Sequence, residues 1–216
     1  MKTIKLEKFR KQLDDEFAWR EKEIKILKNK ISMSDADTDL RAGVVLLYAH
    51  WEGFIKSAAN KYKKFVASQK LTLDELQDCF IALALKKENR ELGNSTKITF
   101  YLKTVDFIRN RMSEKANIPY KDEKAEKESK ETKILKFELL KEILDSVGLT
   151  CSPYESKKNK IDSLVEIRGD IAHGKEKFVD KNELYELFTE TIKLIRKIKT
   201  NIFEAAEKES YKRRSI

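Results

Sequence analysis

The stretch AGVVLLYAHWEGFI, Ala42 to Ile55, decides the fold. Val44, Leu47, Tyr48, Trp51 and Phe54 return at steps of three and four, the period of an α-helix. Apolar side chains also fill most positions between them, so nearly every side of this helix needs cover from neighbours. Such a helix belongs at the centre of a bundle. Ala58, Tyr62 and Phe65 continue the period, which predicts a helix over about residues 38–68.

Toward the amino end, Ser34, Asp35, Asp37 and Thr38 are all helix-capping types, predicting a break and a fresh start. Before them, Leu6, Phe9, Leu13, Phe17, Ile24, Leu27 and Ile31 predict a first helix over about residues 3–32. Toward the carboxyl end, Thr72 and Glu75 have the spacing of a capping box, predicting a helix through about Leu85. Ile98, Tyr101, Leu102, Val105, Ile108 and Met112 form a further stripe. Residues 113–133 read as a charged insertion. Its core, KDEKAEKESKETK at 121–133, has no large apolar side chain and can bury nothing, so a solvated loop or exposed helical extension is expected.

The helical period resumes from Ile134 to Val147, with Gly148 placed to stop it. Ser152, Pro153 and Glu155 carry the types of an N-cap, a first helical position and a capping-box acid, predicting a helix start at Ser152. Asp180 and Glu183 open the last long helix, with Leu184, Leu187, Phe188, Thr191, Leu194, Ile198 and Ile202 on one face. A basic tail over about residues 208–216 is expected to fray. Only 6 Gly and 2 Pro interrupt 216 residues, and no alternating apolar run suggests a strand. The expectation is one all-α domain over residues 1–216, a bundle of long antiparallel helices.

Bulk charge narrows the partners. With 46 basic against 37 acidic residues the formal charge is +9, a field that attracts polyanions such as RNA, although most of these charges describe solvated helix faces. Cys79 and Cys151 are far apart and lack a second ligand nearby, so each is read as a small core residue. The amino-terminal stretch has no apolar leader, and the most apolar run, Ala42 to Trp51, is too short to span a bilayer. A cytoplasmic protein without membrane insertion is expected.

The one constellation with chemistry in it lies at residues 168–173. Arg168 falls within the stripe of Ile161, Leu164, Val165 and Ala172. A guanidinium on a packing face keeps its proton and needs an anion: a carboxylate of this chain, a residue of a second chain, or a bound phosphate. His173 ends the same segment before Gly174, and an ideal helix would set it about 140° around from Arg168. If Gly174 stops the helix, the imidazole can swing toward a cleft, with Asp170 near enough to orient it. An imidazole moves protons at neutral pH, and a fixed arginine stabilises charge on phosphate oxygens. Together they suffice for cleavage of RNA through its own 2′-hydroxyl, with no metal or cofactor. By itself the Arg–His pair is a frequent coincidence, expected about 0.3 times in a chain of this composition.

Context adds to it. The stretch IRGDIAHG, Ile167 to Gly174, late in a helical chain, resembles the signature of the HEPN superfamily. Upstream, YAHWEGFI, Tyr48 to Ile55, resembles the long second helix of its RiboL-PSP-type bacterial subgroup. The resemblance implies a helical bundle and a homodimer with the two Arg–His motifs facing each other. It also implies metal-independent endoribonuclease activity, with Arg168 and His173 catalytic and Asp170 in support. Such activities often serve toxin–antitoxin or antiphage systems, which implies an antitoxin or defence partner. Gly169 departs from the pattern, since the position after the arginine is commonly polar, often Asn; Asp170 can supply that group.

His50 lies on the central helix beside Trp51 and reads as a buried, hydrogen-bonded structural residue. Glu52 can serve Arg168 or its own surface. Tyr48, Trp51 and Phe54 read as core, since base-stacking aromatics should be exposed. Two other functions fit the same residues: a non-catalytic helical dimerisation module, and a basic nucleic-acid binder.

Overall fold

The computed structural model describes residues 2–88, 98–120 and 134–213. Seven α-helices run through them: α1 (Lys2–Ser32), α2 (Asp37–Ala67), α3 (Asp78–Glu88), α4 (Ile98–Asn110), α5 (Phe137–Asp145), α6 (Lys158–Ala172) and α7 (Lys181–Glu207). The described residues contain no strand ladder, only isolated bridges at Thr72–Lys115 and Leu76–Lys212. The all-α expectation holds. The core of the charged insertion, 121–133, lies outside the described residues.

Three long helices pack on one another, α1 on α2, α2 on α7 and α1 on α7, and α6 lies against α2. The reason is in their faces. The stripe Phe9, Leu13, Phe17, Ile24 and Ile31 of α1 is buried, as is the stripe Leu184 to Ile202 of α7. Helix α2 buries one broad face, from Leu40 to Val66, and leaves Ala42, Leu46 and Ala49 exposed, so it is covered on one side and not nearly all round as its composition suggests; at 31 residues it is about 46 Å long. Aromatic rings lock its far end: Phe9 stacks on Phe65 at 4.8 Å, and Tyr211 meets Phe65 edge-on at 5.9 Å. Between α1 and α2, the half-buried Glu16 carboxylate takes both Arg20 (2.7 Å) and Lys61 (3.0 Å). Those two cations hold its carboxyl below the usual carboxylate range against the burial that would raise it.

Several local expectations are corrected. The Thr72–Glu75 contact forms, with the Thr72 backbone N–H and hydroxyl both donating to Glu75 at 2.8 and 2.9 Å, yet no helix follows until Asp78. Residues 71–77 are instead held from outside: Leu73 N–H donates to Glu114 and Gln77 N–H to Tyr211. For the same reason residues 113–120 are no loose extension, since Ile118 is buried and Ala116 N–H donates to Leu71. Nor does the tail fray through 213. Tyr211 is 2 % exposed and Arg213 N–H donates to the Glu75 carbonyl. The start expected at Ser152 is a 3₁₀ turn, Ser152–Lys157, and α6 begins only at Lys158. On α4 the apolar stripe faces out: Tyr101, Leu102, Val105 and Ile108 are exposed, and Phe107 alone on that helix is buried.

Candidate active site

The end of α6 is shaped by backbone hydrogen bonds. Gly174 has φ +75°, a left-handed conformation that costs glycine little. Its N–H donates to Ile171 and that of Lys175 to Asp170, the paired bonds of a Schellman stop. His173 is therefore the C-cap, its N–H donating to Gly169 at 3.1 Å, and its side chain is exposed. The helix ends where the glycine predicted, and the imidazole stands in solvent. Among the described residues it makes no side-chain hydrogen bond.

Arg168 sits one turn earlier and half-buried, with its guanidinium 4.9 Å from the centre of the Tyr48 ring on α2. That cation–π contact gives the guanidinium a fixed seat. Tyr48 is itself held, since its hydroxyl accepts from Leu135 N–H at 2.9 Å. Burial pushes the phenol up to about 12, and the charge of nearby Glu52 adds to this. Glu52 pairs with Lys56 on its own helix at 2.7 Å. Among the described residues no carboxylate lies within ion-pair distance of Arg168. Of the three partners the sequence leaves open, the one in this chain is thus not made by Glu52.

Asp170 does something other than expected. Its carboxylate receives Lys175 Nζ at 2.8 Å and Lys177 Nζ at 3.6 Å, both from the segment after the helix. The Lys175 hydrogen bond holds its carboxyl below the usual carboxylate range. Among the described residues Asp170 makes no bond to His173, so it organises the α6–α7 connection rather than orienting the imidazole. Arg41, at the start of α2, reaches the same connection and donates to the Lys175 carbonyl at 3.0 Å. Arg41, Lys175 and Lys177 escaped the sequence reading because nothing in their spacing marks them. Between 168 and 177 lie Arg168, Lys175 and Lys177 against Asp170 and Glu176, and Arg41 adds a fourth cation.

Gly169 has open space around it: a Cβ there would meet nothing within 4 Å. A polar side chain after the arginine is therefore not excluded by packing. Gly169→Ala removes a glycine from a helix interior and is expected to stabilise the fold by about 0.5–1 kcal/mol. Thermal unfolding should report this as a rise of about 2–4 °C per kcal/mol.

His50 is elsewhere and different in kind. It is 5 % exposed, with Nε2 3.3 Å from the Glu23 carboxylate of α1 and its ring edge-on to Trp19 at 5.5 Å. Burial pushes the imidazole down, Glu23 opposes this and Arg20 reinforces it. The structural role expected from its place on α2 fits these contacts. Tyr48, Trp51 and Phe54 are core, as expected. Among the described residues no three His, Cys, Asp or Glu side chains converge to hold a metal ion. None of the described helices is long and apolar enough to cross a membrane.

The fold and the site define an all-α helical domain whose sixth helix carries Arg168 and stops at His173. The RiboL-PSP-HEPN family model matches residues 15–204, and the chain belongs to that family. No curated protein and no solved structure gives a significant match.

Proposed function

We propose that the protein is a metal-independent endoribonuclease acting through Arg168 and His173. The observation that carries the reading is Arg168, seated on Tyr48 with no carboxylate of the described residues beside it, on the helix that ends in an exposed histidine. A phosphodiester is the anion such a guanidinium suits, because its fork matches two phosphate oxygens. In the reaction an imidazole accepts the 2′-hydroxyl proton as O2′ attacks phosphorus. The P–O5′ bond breaks, and O5′ leaves with a proton from an imidazolium. Arg168 neutralises the growing charge on the non-bridging oxygens. A homodimer with its two motifs facing would supply two imidazoles for the two proton transfers. A toxin or antiphage effector, restrained by an antitoxin or defence partner, is the setting in which such an activity fits.

Incubating the purified protein with total RNA in EDTA tests this. Fragments ending in 2′,3′-cyclic phosphate are expected, with DNA of the same sequence left whole, because deoxyribose has no 2′-hydroxyl. RNA that stays intact at equimolar protein overturns the reading. The exposed stripe of α4 favours one alternative, a non-catalytic interaction module that buries Tyr101, Leu102, Val105 and Ile108 on a partner. Leu102→Glu would then disrupt assembly, and Arg168→Ala would have no effect on RNA.

A further inference from the structure

The connection from α6 to α7, residues 173–180, carries a side chain that the mechanism does not use. Phe178 is 75 % exposed, more than any other aromatic residue of the described chain. Single apolar residues on a surface are ordinary. This one stands on an ordered segment. The Schellman stop fixes its first end, Arg41 grips the Lys175 carbonyl in its middle, and Asp170 ties Lys175 and Lys177. At the far end Val179 is 5 % exposed and Asp180 caps α7, accepting from Glu183 N–H at 2.8 Å. A ring held out into water by such anchoring loses little freedom when something covers it.

Its neighbours say what would cover it. Lys177 precedes Phe178, Lys175 lies two positions further back, and His173 is five residues away, at most about 18 Å along the chain. A flat apolar ring where four cations, Arg41, Arg168, Lys175 and Lys177, outnumber the acids Asp170, Glu176 and Asp180 suits a nucleobase attached to a phosphate backbone, because every base has a face to stack and each linking phosphate a charge to neutralise. An apolar protein partner would gain nothing from the two ammonium groups. We infer that Phe178 is a stacking platform for a nucleobase of single-stranded RNA next to the scissile phosphate, with Lys175 and Lys177 contacting the flanking phosphates. The inference rests on the ribonuclease reading for its ligand. Purines stack more strongly than pyrimidines, so a purine is the preferred occupant.

The test uses full-length protein carrying His173→Ala, which binds without cutting, and a short single-stranded oligoribonucleotide containing 2-aminopurine. Binding should change the 2-aminopurine fluorescence. Adding Phe178→Ala should weaken binding roughly tenfold or more, while Phe178→Trp restores it. With His173 intact, Phe178→Ala should raise KM far more than it lowers kcat. Equal affinity and KM in Phe178→Ala overturn the platform while leaving the nuclease intact. Phe178-dependent binding by a protein that cuts no RNA retires the nuclease and keeps the platform. A Phe178→Ala variant that changes oligomeric state on size exclusion, with RNA affinity unaltered, also overturns it, since the ring would then cover a protein partner.

Discussion

His173→Ala is expected to lower RNA cleavage by about 10²–10⁴ while the bundle stays folded. The size follows from the loss of a positioned proton carrier. The selectivity follows from where the residue sits. His173 is an exposed C-cap whose only hydrogen bond among the described residues is made by its backbone N–H, which alanine keeps. A surface change of that kind moves stability by about 0.5 kcal/mol or less. Initial rates on a labelled RNA in EDTA, beside thermal unfolding by circular dichroism, separate the two effects. Undiminished cleavage with an unchanged melting curve would remove His173 from the chemistry altogether.

Arg168→Ala should cost about 10²–10³ in kcat, the range found when one preorganised donor to a developing oxyanion is lost. It should also cost some stability, about 0.5–1 kcal/mol, because the cation–π contact with Tyr48 goes with it. Arg168→Lys keeps the charge and regains only part of the rate. An ammonium cannot offer the planar fork, nor lie flat on the Tyr48 ring in the same way. Residues that act as one unit are not additive, so the Arg168→Ala, His173→Ala double variant should be about as slow as the slower single one. Multiplying losses would mean that the two side chains serve separate steps. Comparing single-turnover rate constants of the four proteins at saturating enzyme decides it.

These expectations use side chains whose surroundings were unequally legible. Arg168 and His173 stand out in one dimension because they bracket a helix end, and the glycine at 174 makes that end where it was expected. For Asp170 the structure shows other partners than its spacing suggests. Its three-residue spacing from His173 suggests a bond, but Lys175 and Lys177 curl back after the stop and take both oxygens. Arg41 comes to the same connection from 134 positions away, and no local signal reports that approach.

The same division runs through the fold. Local chemistry alone set the helix periods of α1, α2 and α7, the capped start at Asp180 and the stops at Gly148 and Gly174, because these depend on contacts within a turn or two. Only the tertiary structure decided that Thr72–Glu75 opens no helix, that residues 208–213 lie fast against Gln77 and Glu75, and that the stripe of α4 faces out. It also decided that Arg168 rests on an aromatic ring instead of a carboxylate. Hydrogen bonds and burial between segments distant in sequence outweigh a cap or a period, and composition along one strand of chain carries no record of which distant segment will arrive.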